Sequence, residues 1–143
     1  MKNIGHIDLP GHRGAGGFDH ADVHSASDRL YVAHTSNDAL DVIDTAQDRY
    51  IESVGGLTAV AGALVSEKQG LIFTSNRGEN TVSLFAPGDE RQTIKIGVGM
   101  KPNGLAFDCA RGILIAANVG DPEIPHPPVG KEEHALTSCI RGQ

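Results

Sequence analysis

The chain has 143 residues, enough for one domain of ordinary size. Lys and Arg number 12 against 18 Asp and Glu, a formal net charge of −6 with no basic run, so a nucleic-acid phosphate backbone is a poor partner. Trp is absent and other aromatics are few, which argues against a base-stacking surface.

The apolar runs are short and broken by Gly or polar residues, so the sequence predicts no membrane span. The opening "MKNIGHIDLP" lacks the apolar core of a signal peptide, and the expected setting is cytoplasmic. Cys109 and Cys139 make neither a metal knuckle nor a disulfide framework.

Taken in chain order, residues 4–9 read as a leading strand. An apolar segment then ends at Val23, and a strand opens at Leu30 with "LYVAHTSN". "ALDVID" follows from Ala39, with Leu40 and Val42 flanking polar Asp41, the period of a half-buried strand. "RYIESV" closes the group at Val54. The same order returns in residues 60–96: a segment ending at Val65, "LIFTSNRGEN" from Leu71, "TVSLFAP" from Thr81, and "QTIKIG". It starts a third time in residues 105–121, with Phe107 and then "ILIAANVGDP" from Ile113. Leu30, Leu71 and Ile113 open matching strands at spacings of 41 and 42 residues.

The unit is thus four short strands in about 42 residues, with β-branched residues where strands are expected and no sustained helical period. That length and strand count predict an all-β chain built from four-stranded antiparallel β-propeller blades. A β-sandwich explains short strands but not their grouping by four. The blades are expected at 18–54, 60–96 and 105–121, within a partial propeller spanning 1–121.

The strand-end strings "YVAHTSN", "FTSN" and "IAAN", with "NDALDVID" after the first, resemble the YVTN family of propellers over about residues 17–121. The resemblance implies a ring of about seven blades, in which the leading strand would complete the last blade. Two and a half blades predict an incomplete propeller with open edges and apolar faces that favour self-association. Residues 122–143 are expected to be an irregular or disordered tail, because prolines crowd at 122, 125, 127 and 128. Two origins fit such a tail: a truncated product read off-pattern, or a naturally irregular end.

In this architecture the loops entering the first strand and joining the second to the third lie on one rim, where function concentrates. Alignment on Val23, Val65 and Phe107 puts Asp19, Ala61 and Asn103 at equivalent entry positions, with His34, Ser75 and Ala117 near the same rim. Asp19, His20, His34 and Asn103 are therefore the candidate ligands for a divalent metal ion as cofactor. Strand alternation keeps Asp22 and His24 from joining them. The plainer reading makes Asp19 and His20 turn residues and His34 a strand-end residue bonded to the next loop. "PNGLAFD" from Pro102 resembles a gluconolactonase-like motif, which implies that Asn103 is a metal ligand, although the acidic partners such enzymes use are not identifiable. Asn76, Arg77 and Glu79 in "SNRGEN" are candidate rim contacts, and Gly78 is expected at positive φ. Neither of the Gly-rich stretches "GGFDH" and "GVGMKPNG" both follows a strand and opens a helix, which argues against a phosphate cradle. Ser25, Ser27 and Ser36 lack a nucleophile-elbow pattern. The expectation is a binding or scaffold module for a small ligand or protein; the alternative is a metal-dependent hydrolase.

Overall fold

A computed structural model describes residues 1–120 and 137–141. Among them lie the strands β1 (Phe18–His24), β2 (Arg29–His34), β3 (Ala39–Asp44), β4 (Arg49–Gly55), β5 (Val60–Ser66), β6 (Leu71–Asn76), β7 (Thr81–Phe85), β8 (Ile94–Gly97), β9 (Pro102–Asp108), β10 (Ile113–Asn118) and β11 (Thr137–Arg141). The described chain is all-β and antiparallel, in three sheets ordered β1-β2-β3-β4, β5-β6-β7-β8 and β11-β10-β9. Its only helical pieces are single 3₁₀ turns at Ser25–Ser27 and Thr35–Asn37. None of its helices is long and apolar enough to cross a membrane.

Register carries the repeat into three dimensions. The first pairs of the three sheets are Phe18↔His34, Val60↔Asn76 and Pro102↔Asn118, a constant step of 42 residues. Val23↔Leu30, Val65↔Ile72 and Phe107↔Leu114 keep the same step. Leu30 therefore corresponds to Ile72 and Leu114, not to Leu71 and Ile113. Those two correspond to Arg29, so aligning the first apolar letter of each strand slips by one. The same slip affects the strand ends: His34 matches Asn76 and Asn118 rather than Ser75 and Ala117.

The turns repeat as well. Asp28, Gly70 and Gly112 hold φ of 52°, 59° and 64°, and Asp38 and Asn80 hold 52° and 54°. Asp, Asn and Gly tolerate this left-handed region, which these tight connections need. In "SNRGEN" the positive φ thus belongs to Asn80 and not to Gly78. Gly78 is needed for space, because a Cβ there would lie 2.7 Å from Thr58 Cγ2. The side chains of Asp38 and Asn80 accept from the N–H groups of Ala59 and Lys101 at 2.7 and 2.9 Å, tying each loop to the entry of the next first strand.

β5 packs against both β1 and β9. Its "VAGALVS" is small and apolar, and its first four residues are buried. Exposed β1 carries the polar "FDHADVH" at the same positions. Tyr31, Leu40, Val42, Val60, Ile72 and Phe85 form one core cluster, and Phe73, Val82, Leu114 and Ala116 form a second. Arg29 closes the first gap with an ion pair to Glu90 at 2.5 Å, and Tyr31 Oη donates to the same carboxylate at 3.4 Å. Burial, with Glu90 beside it, pushes the Tyr31 phenol up to about 12. Burial alone would lower the Arg29 guanidinium, but Glu90 and Tyr31 together outweigh it and raise its pKa.

Three expectations change. Residues 4–9 form no strand; a lone strand needs a sheet edge to satisfy its backbone, and none of the three sheets takes it up. The expected irregular tail contains a strand, since β11 occupies the slot beside β10 with Leu114 opposite Ile140. Ile140 packs on the second core cluster, and that burial supplies the reason. Residues 121–136, 142 and 143 lie outside the described set. Finally, β3 is not half-buried: Asp41 and its counterpart Ser83 are both fully buried. Each is satisfied by an internal partner on the neighbouring strand.

Candidate functional site

That partner in the first sheet is His34. Pairing of His34 with Ala39 across β2 and β3 brings the imidazole over Asp41, and His34 Nδ1 donates to Asp41 Oδ2 at 2.7 Å. Neither side chain is exposed to solvent. Asp41 Oδ1 accepts from Ser53 Oγ at 2.5 Å, and Ser53 Oγ meets the Tyr50 hydroxyl at 2.9 Å. The bond to Asp41 places a hydrogen on Nδ1, which leaves Nε2 of the neutral ring as the acceptor. His12 Nδ1 lies 2.9 Å from that nitrogen and 2.8 Å from Ser36 Oγ.

His12 belongs to the irregular arm before β1. The arm crosses the loop between β2 and β3 and is bonded to it: Arg13 N–H donates to Asn37 Oδ1 at 2.8 Å, and Asn37 Nδ2 donates to the Gly11 carbonyl at 3.0 Å. Phe18 covers the imidazole, with ring centroids 4.3 Å apart. The result is a continuous polar chain, Ser36–His12–His34–Asp41–Ser53. It can hold or pass a proton between the arm and a buried carboxylate.

The second sheet carries the same device in neutral form. Asn76 Nδ2 donates to Ser83 Oγ at 2.7 Å and to Thr81 Oγ1 at 3.0 Å, and its Oδ1 accepts from Thr74 Oγ1 at 3.1 Å. Asn76 and Ser83 stand 42 residues after His34 and Asp41. Asn76 and Ser83 are satisfied across adjacent strands and Thr74 within its own, as low dielectric surroundings require.

Of the four candidate metal ligands only Asp19 and His20 meet; His34 and Asn103 go to other partners. Asp19 Oδ1 lies 2.8 Å from His20 Nδ1, and its Oδ2 accepts from Arg77 Nη2 at 3.1 Å. His20 Nδ1 also faces the Ala61 carbonyl at 3.3 Å. His34 is committed to Asp41 and His12. The Asn103 carbonyl accepts from Ser75 Oγ at 2.6 Å, while its side-chain Oδ1 is buried with no hydrogen-bond partner. Among the described residues, no three His, Cys, Asp or Glu side chains are placed to hold a metal ion.

Of the rim candidates, Asn76 is fully buried and so is not available as a contact, because its amide closes the polar pair described above. Arg77 spans to Asp19 and joins the loop ends of the first and second sheets. Glu79 pairs with Lys95 at 2.8 Å. Sequence reasoning missed His12, Asp41, Ser36 and Ser53. A usable signal existed for Asp41: at a step of 42 residues, His34 and Asp41 fall on Asn76 and Ser83, both polar inside apolar strands.

At the sequence level, neither a family description nor a curated protein matches the chain. Solved structures do resemble it. Hydrazine synthase from Kuenenia stuttgartiensis matches with a TM-score of 0.63 and 18% identity, over 82% of this chain and 32% of that one. A nidogen/laminin complex matches with a TM-score of 0.61 and 15% identity, over 76% of this chain and 43% of that one. At such identities the likeness concerns the fold alone. The chain spans less than half the length of either.

Proposed function

We propose that the chain is a segment of a YVTN-like β-propeller that serves as a binding or scaffold module, presenting its loop rim to a small ligand or protein. One observation carries the reading: the pairing of first and second strands in three successive sheets repeats at one sequence step of 42 residues, with β5 packed against both β1 and β9. In register, "YVAH", "FTSN" and "IAAN" occupy the same four positions of the second strand, which supports kinship with the YVTN repeat. Three blades are fewer than a closed ring of about four to eight needs. The solvent-facing β1 would then be an open blade face, and the chain is expected to self-associate. Light scattering over a hundredfold dilution tests this; a constant monomer mass at every concentration counts against the reading.

A metal-dependent hydrolase of the gluconolactonase-like type is the second reading, favoured by the orphaned Oδ1 of Asn103. Calorimetric titration with calcium, zinc and manganese separates the two. Ion binding lost in both Asp19→Ala and Asn103→Ala supports the hydrolase. Absence of binding rejects the hydrolase.

A further inference from the structure

The gap between the second and third sheets differs in kind from the gap between the first and second. In the first gap, Arg29 and Tyr31 reach Glu90 and close the space with a buried polar cluster. The corresponding positions on β6 are Leu71 and Phe73, which offer no polar atom. There a cavity of about 280 Å³ remains, lined by Leu71, Phe73, Leu84, Phe107 and Leu114, with Arg141 of β11 beside it. The wall is apolar because of which residues the repeat places there.

Charge at this site is one-sided. Arg141 is exposed and makes no ion pair among the described residues. The nearest acidic group on the third sheet, Asp108, is already paired with Arg111 at 2.7 Å. Gln69, also in the lining, is occupied, with Nε2 donating to the Cys109 carbonyl at 3.3 Å and Oε1 accepting from Ser66. A dry apolar cavity of about 150 Å³ takes up benzene, so a volume near twice that has room for about ten heavy atoms. A partly open apolar pocket beside a guanidinium with no ion pair among the described residues matches a small apolar acid.

We propose that this cavity binds a small apolar monocarboxylate, its hydrocarbon part against Leu71, Leu84 and the adjoining rings of Phe73 and Phe107, whose centroids lie 4.9 Å apart, and its carboxylate at Arg141. The site lies between sheets rather than on the loop rim, so it stands apart from the function proposed above, and its failure would leave that reading intact.

Calorimetric titration of the full chain with octanoate, octanol and octylamine provides the test. Saturable one-to-one uptake of octanoate is expected, about tenfold tighter than octanol, as one charge-assisted contact allows. Octylamine should bind more weakly than either. Arg141→Gln should bring octanoate down to the octanol level and leave octanol unchanged. Leu71→Trp, which fills the cavity from its wall, should abolish uptake of both with the melting temperature retained. If the filled variant does not fold, the Arg141 comparison decides alone, since that side chain is exposed. Octanoate uptake that fails to saturate, equal affinity for octanoate and octanol, or a preference that survives Arg141→Gln would each overturn the proposal.

Discussion

Exchanging the polar pair of the first sheet for that of the second tests whether the two are one repeated device. The perturbations are His34→Asn, Asp41→Ser and the double exchange, which installs at 34 and 41 the residues found at 76 and 83. Asp41→Ser removes the acceptor of a 2.7 Å bond from His34 and of a 2.5 Å bond from Ser53, leaving a buried donor on His34. An unsatisfied buried donor together with a lost charge-assisted bond costs about 3 kcal/mol. His34→Asn strands the fully buried Asp41 and removes the ring packed on Phe18, again about 3 kcal/mol. The double exchange can rebuild an amide-to-hydroxyl bond like the 2.7 Å contact in the second sheet. Its cost should be about 4 kcal/mol or less instead of about 6, a coupling of about 2 kcal/mol. Urea unfolding followed by circular dichroism, at one protein concentration, measures all four species. A double exchange whose cost equals the sum of the singles to within about 0.5 kcal/mol refutes the reasoning, because independent residues add.

Stability should also respond at both ends of the pH scale. Tyr31 ionises near 10 when unfolded but near 12 in the fold, so its contribution is full below pH 10 and is lost as pH rises to about 12. At about 1.4 kcal/mol per unit the loss approaches about 3 kcal/mol, and Tyr31→Phe should remove that alkaline step from the melting profile. Glu67 is held below its usual pKa, first by the Ser25 backbone N–H and then by that of Ala26 and by His24. Its contribution is therefore present at neutral pH and lost as pH falls through the lowered value; Glu67→Gln should flatten that acid limb. Gly62→Ala should cost about 2–3 kcal/mol, because its Cβ would meet Ser75 Oγ at 2.6 Å and the Asn103 carbonyl at 2.7 Å. An unchanged melting temperature for that variant would contradict the close approach of β5 to β9.

Much of the fold was legible in the letters. The step of about 42 residues and the four-strand unit follow from apolar periodicity and turn residues, which are local properties of the chain, whereas the first strands each run one residue past Val23, Val65 and Phe107. The site was less legible. His34 could be named, yet its partners could not, because His12 lies 22 residues before it on an arm with no periodicity. Alternation also pointed Asp41 toward water. It assigns a side chain to one face of a strand but says nothing of what covers that face.

The sequence by itself determined the module, its length and its number of strands, since hydrophobic alternation and left-handed turn residues act within a few neighbours. Only the tertiary structure decided the register at Arg29, the burial of Asp41, the scattering of Asp19, His34 and Asn103 among different partners, and the return of β11 to the edge of β10. Those depend on which strand lies alongside which, and on whether a polar group taken out of water finds a partner there, both set by contacts between residues far apart in the chain.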